Sequence, residues 1–159
     1  MDIIDYEGRK MPTKMHSCSD SPVKTYQFRI CYEDTDAGGI VYHAKYLGIA
    51  ERARTESIRQ LGGSVAELYR THGLILVVRK MEIQYRQPLF LDDVVNVKTC
   101  LISVLKASCW LSQIFTKANE RVTEIKLQLV CLKKRNYVPS PFPDNWKKIF
   151  AALSETQTS

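Results

Sequence analysis

From Leu74 onward the chain reads as four strand-like segments, at 74–85, 94–105, 108–116 and 125–131, joined by connections too short to hold a helix. Parallel neighbours need a crossover of a dozen or more residues, so strands this close in sequence pair antiparallel. The clearest alternation is the last, where Ile125, Leu127, Leu129 and Cys131 face one way and Lys126, Gln128 and Val130 the other. Upstream there is one further alternating segment, with Tyr26, Phe28, Ile30 and Tyr32 on one face. A single long helical pattern, 44–61, lies between it and the sheet and ends at Gly62 and Gly63. The fold class this implies is α+β, with one long helix packed on the apolar face of an antiparallel sheet, arranged as a meander.

The helical segment admits two buried stripes. Leu47, Ala50, Arg54, Ile58 and Leu61 make one, with a charge in it; Tyr46, Ile49, Ala50 and Ala53 make the other. A second short helix is predicted at 65–71. Prolines at 139, 141 and 143 close the sheet, and 144–153 has the pattern of a small terminal helix. The first 23 residues are polar and without period, a loose extension; the domain is expected over 24–153, with a short tail at 154–159.

Between first strand and helix stands YEDTDAGGIVYHAKY, residues 32–46, which carries far more chemistry than a turn requires. The start of a helix presents backbone N–H groups without internal partners and a partial positive charge. Such an end polarises a carbonyl oxygen, and a carboxylate beside it, from Asp34 or Asp36, supplies a nucleophile or general base. On chemistry alone an ordinary turn and cap explains DTDAGG at least as well. His43 alone reads equally as a surface or capping group.

Composition removes several classes. A net charge of +6 over 159 residues suits an anionic partner, and the surplus sits in residues 117–159, with eight basic against four acidic groups. Its densest point, Lys133, Lys134 and Arg135, is short for a nucleic-acid tract and has no aromatic platform beside it; a solvated strand end or a phosphate-bearing ligand remain. Five scattered cysteines without a CxxC pair and only three histidines argue against zinc, and reduced cysteines are expected as small core residues. No signal peptide and no bilayer-length apolar run are seen, which predicts a cytosolic protein without integral membrane contact. The DxD pair is also found in aspartate-dependent phosphatases, but the parallel βα repeats of that class are missing.

The whole stretch from Tyr32 to Leu47, continued by Glu51, Arg52, Ala53, Arg54, Thr55 and Glu56, resembles the signature of hotdog-fold acyl-CoA thioesterases of the 4-hydroxybenzoyl-CoA thioesterase type. It is most similar to the bacterial branch associated with the Tol-Pal envelope system. Tyr85, Arg86, Gln87 and Pro88, then Leu91, Asp92 and Asp93, resemble that family's turn into its sheet. The resemblance implies a hotdog fold and thioester hydrolysis without metal or organic cofactor. It also implies a homodimer, paired again into a tetramer, with the site between subunits. It casts Asp36 as the catalytic carboxylate and the His43 main-chain N–H as the carbonyl-polarising donor. Gly39, Ile40, Val41, Tyr42 and Tyr46 would line the substrate, and Asp34 would be a supporting carboxylate. Lys45 departs from the small or amide residue common there. The substrate implied is acyl-CoA, with acyl carrier protein as an alternative carrier; Arg79, Lys80, Arg86, Lys106, Lys133, Lys134 and Arg135 are candidates for the coenzyme's phosphates. A non-catalytic acyl-thioester or carrier-protein binding module on the same fold is the alternative.

Overall fold

The computed structural model describes residues 25–154; the predicted extension at 1–23 and most of the tail lie outside the described residues. Five strands form one antiparallel sheet: β1 (Thr25–Arg29), β2 (Leu74–Tyr85), β3 (Val94–Val104), β4 (Ser108–Lys117) and β5 (Glu120–Lys133), in the order β1-β3-β4-β5-β2. Helix α1 (Lys45–Gln60) follows β1 and a short 3-10 turn (Tyr32–Asp34); α2 (Val65–His72) precedes β2, and α3 (Asp144–Ala152) closes the chain. The α+β class and the elements match expectation closely. The meander holds only for β3, β4 and β5. β2 does not pair with β3, its successor, but crosses to the far edge and pairs with β5, Leu74 opposite Lys133 and Tyr85 opposite Thr123.

β1 stops at Arg29, short of the predicted alternation, and Tyr32 is 82% exposed. The cause is local: the Cys31 N–H donates to the Asp34 carboxylate at 2.8 Å, folding 32–34 into the turn.

Of the two candidate stripes on α1, the one through Tyr46, Ile49, Ala50 and Ala53 is buried, extended by Arg54, Ser57 and Ile58, while Leu47 stays exposed. Ala50 and Ala53 are fully covered, and side chains this small let the helix axis come close to the sheet. Beneath them lie Val95, Val97, Leu111, Phe115, Ile125 and Leu127. Helix α2 is capped at both ends. The Ser64 hydroxyl accepts from the Glu67 N–H at 3.2 Å, and Gly73 closes the C-terminus at φ 63°, a left-handed conformation that costs glycine nothing.

At the other end Phe142, Trp146, Ile149 and Phe150 of the terminal segment seal the core, with the Phe142 and Phe150 rings 4.9 Å apart. Burial pushes the Cys109 and Cys131 thiols up to about 12 and about 11, so both behave as the inert core residues expected. Cys100 does not follow that expectation, being disulfide-bonded. Among the described residues no helix is long and apolar enough to cross a membrane.

Candidate active site

The loop between β1 and α1 is pinned from below. Tyr42 N–H donates to the Asp34 carbonyl and Val41 N–H to the Leu89 carbonyl, both at 2.9 Å, so the loop is tied to itself and to the β2–β3 connection. Asp34 is buried, and its carboxylate accepts from the Cys31 N–H. Asp36 is exposed. Its Oδ1 accepts from the Gly38 N–H at 2.8 Å, and its backbone N–H donates to the Ile40 carbonyl at 3.0 Å, which together aim the carboxylate. A Cβ on residue 38 would sit 3.0 Å from that oxygen, so glycine permits the close approach. Gly39, at φ 78°, turns the chain back toward Val41.

Asp36, Ile40, Val41, Tyr42, His43 and Tyr46 line one cleft of about 390 Å³. Six of the seven predicted site residues are thus brought together; Gly39 shapes the turn without lining the cleft. The helix begins at Lys45 with Ala44 as its cap residue and no capping side chain. The N–H groups of Val41, Tyr42 and Lys45 all find carbonyls, whereas those of His43 and Ala44 make no hydrogen bond among the described residues; of these two, only His43 lines the cleft. Asp36, with an exposed carboxylate, and His43, which stands just before the helix cap and its partial positive charge, therefore line one cavity.

The far wall comes from the end of β2 and the turn beyond it: Tyr85, Arg86, Gln87 and Pro88. The Tyr85 hydroxyl donates to the His43 carbonyl at 2.8 Å and its ring meets Tyr46 edge-on at 5.1 Å. This is the contact that sequence reasoning missed. Tyr85 was visible only as part of a turn motif, and nothing in its spacing joins it to a residue 42 positions away. Burial raises both tyrosine hydroxyls above their ordinary value, so they stand as neutral donors. Arg86 is held at the mouth by Glu124 at 2.9 Å, and Arg121 shares that carboxylate at 3.1 Å. Burial opposes ionisation of Glu124, but the two guanidinium groups outweigh it and hold the carboxyl below its ordinary value. Lys45 does not line the cleft.

The profile of the thioesterase-like superfamily matches residues 32–150, which spans the loop, α1 and the whole sheet from β2 to β5. The chain belongs to the thioesterase-like superfamily. It is 38% identical over 116 residues to the acyl-CoA thioester hydrolase YbgC of Escherichia coli O6:H1, covering 72% of this chain and 86% of that protein. It is 34% identical over 129 residues to the acyl-CoA thioesterase YbgC of Haemophilus influenzae, covering 81% and 95%. Among solved structures, a hypothetical protein from Aquifex aeolicus superposes with a TM-score of 0.74 at 28% identity, over 79% of this chain and 98% of that one. A 1,4-dihydroxy-2-naphthoyl-CoA thioesterase from Synechocystis gives 0.75 at 18% identity, over 81% and 96%, a likeness of fold. The hotdog-like thioesterase architecture expected from the junction motif is the one observed.

Proposed function

We propose that this thioester hydrolase cleaves acyl-CoA to the free carboxylic acid and coenzyme A in the cleft between the 36–46 loop and residues 85–88. One observation carries the reading: Asp36, an exposed carboxylate, lines the same cavity as His43, whose N–H has no partner among the described residues and stands just before α1. The thioester carbonyl oxygen would accept from that N–H, with the helix dipole behind it, so that charge developing on the oxygen meets a donor already in place. The Asp36 carboxylate then either attacks the carbonyl carbon or takes a proton from a water that does. In the first route the C–S bond breaks, the thiolate leaves, and water hydrolyses the acyl-aspartyl anhydride to regenerate the carboxylate. In the second, the hydroxide forms the acid directly and the proton on Asp36 passes to the departing sulfur. The imidazole of His43 has no part in either route. Ile40, Val41, Tyr42 and Tyr46 would hold the acyl group, and Gly39 the turn that aims Asp36.

The names of the YbgC relatives support acyl-CoA as the substrate class, and on that likeness we place the chain in the Tol-Pal-associated branch, in the cytoplasm. A homodimer fits the sheet: β2 is an edge strand of 12 residues with Val78 and Tyr85 exposed and no neighbour beyond it among the described residues. A long unpaired edge invites a second copy. Thiol release from a panel of short, long and aromatic acyl-CoAs tests the reading. Saturable release on at least one class supports it; release on none, with acyl carrier protein thioesters also inert, contradicts it.

A further inference from the structure

A second concavity is larger than the one that holds Asp36. It is a cleft of about 950 Å³ where the end of α2, the end of β5 and the start of α3 meet. Arg70 and His72 reach it from α2, Lys133, Lys134 and Arg135 from the end of β5, and Asp144 from α3. Residues 70–72 and 133–135 are far apart in sequence, and the pairing of β2 with β5 brings them together: Leu74 stands opposite Lys133, and the Lys134 N–H donates to the Gly73 carbonyl at 2.9 Å. The basic triplet is held firmly. Lys133 N–H donates to the Val138 carbonyl and Tyr137 N–H to the Lys133 carbonyl, with Tyr137 at φ 57°, a conformation a tyrosine adopts only when its surroundings impose it.

Among the described residues the lysines and arginines of this wall have no carboxylate partner. Among the described residues Arg70, His72, Lys133 and Arg135 make no ion pair, and Lys134 is bonded to the Tyr137 hydroxyl at 2.7 Å. The sole carboxylate of the lining, Asp144, pairs with Lys147 instead. A solvated strand end would splay such charges outward. Here they line one concave wall, and a cleft lined by one sign of charge focuses a positive potential. Tyr69, half exposed, adds a flat ring to the lining.

We propose that this cleft binds the phosphates of a nucleotide, with Arg70, Lys133 and Arg135 as principal contacts and Tyr69 as a surface for the base. Arginine at two of these positions suits bidentate pairing with phosphate oxygens. Two sources share that chemistry: a free nucleotide, or the nucleotide end of coenzyme A, the latter resting on the acyl-CoA reading. The cleft and the Asp36 site lie at opposite ends of β2, whose 12 residues, with a rise of about 3.3 Å from each to the next, separate them by about 36 Å from first to last. A coenzyme bound at Asp36 therefore reaches this cleft on a second copy rather than on its own. Antiparallel pairing of two β2 edges sets the Leu74 end of one strand beside the Tyr85 end of the other, which brings the partner's cleft to this site.

The test is calorimetric titration of the intact protein with ADP at low and high salt, for wild type, Asp36→Asn and the triple variant Arg70→Gln, Lys133→Gln, Arg135→Gln. The expected result is saturable binding that weakens with salt, is unchanged in Asp36→Asn, and falls by at least about tenfold in the triple variant. Should the triple variant melt early, the single Arg135→Glu reads the same loss. A KM for acyl-CoA that rises in the variant with kcat unchanged supports the cleft as the substrate's phosphate site; lost ADP binding with KM unchanged supports a free nucleotide. Absent ADP binding in the wild type, or equal binding in the variant, overturns the proposal whether or not the protein hydrolyses thioesters.

Discussion

Substituting Gln113 by leucine should destabilise the protein far more than the modest change in side-chain volume suggests. Gln113 is fully buried on β4. Its Oε1 accepts from Arg54 Nη1 at 3.2 Å, and its Nε2 donates to the Ala50 carbonyl at 2.8 Å and the Thr99 hydroxyl at 3.0 Å. Arg54 is itself buried on α1, and burial presses its guanidinium below the ordinary value, with Glu51 and Cys109 opposing. Leucine removes all three bonds. The Ala50 carbonyl keeps its helical partner, so its share of the loss is small. The bond from the charged Arg54 contributes about 1.5–3 kcal/mol and the Thr99 bond about 1 kcal/mol, against about 1 kcal/mol regained from the apolar side chain. The expected net cost is about 1.5–3 kcal/mol. Arg54→Met, which strands only the neutral Gln113 oxygen, should cost about 1–2 kcal/mol. The double variant replaces the whole buried polar pair with apolar groups and should cost about 2 kcal/mol less than the two singles added together. Equilibrium urea unfolding at fixed protein concentration, followed by the fluorescence of buried Trp110 and Trp146, measures each corner of the cycle. Additive costs, or a Gln113→Leu penalty below about 0.5 kcal/mol, would refute the view that this network joins helix to sheet.

Two further predictions concern the cleft and its support. Tyr85→Phe removes the hydroxyl that fixes the His43 peptide, so kcat should fall about threefold to tenfold while stability changes by no more than about 1 kcal/mol; turnover assays beside thermal melts check both. Glu124 is held below its ordinary value of 4.5 by Arg86 and Arg121, and Asp93 below 3.8 by Lys117 and the Phe90 N–H, in each case against the effect of burial. A carboxyl whose folded value is depressed stabilises fully above its unfolded value, and that stability is lost as pH falls through the folded one. Urea midpoints should therefore decline below about pH 4.5, and more shallowly in a Glu124→Gln, Asp93→Asn variant; an identical pH slope in that variant contradicts the assignment.

Much of this molecule is legible in its residues because its elements are locally determined. Alternation marks β5, Ser64 and Gly73 bracket α2, and α1 ends where Gly62 and Gly63 end it. The loop is legible for a different reason: DTDAGG and the helix start adjoin in sequence, so Asp36 and His43 share a cleft without help from the topology. What stays hidden is whatever the topology assembles. The exchange of β2 to the far edge leaves no trace in spacing, and it carries Tyr85 to His43 and residues 70–72 to 133–135. Arg54 looked like a flaw in an apolar stripe. Its partner on β4 lies 59 residues away, and only the packed structure makes the charge tolerable.

The most direct test of the account compares Asp36→Asn with Asp34→Asn at saturating acyl-CoA, by thiol release, with thermal melts of both. Asparagine at 36 keeps the shape and loses the nucleophile or base, so kcat should fall by about a hundredfold or more with an unchanged melt. Asparagine at 34 weakens the buried acceptor of the Cys31 N–H and should lower the melt while the folded protein still turns over. Undiminished turnover in Asp36→Asn would contradict the central claim.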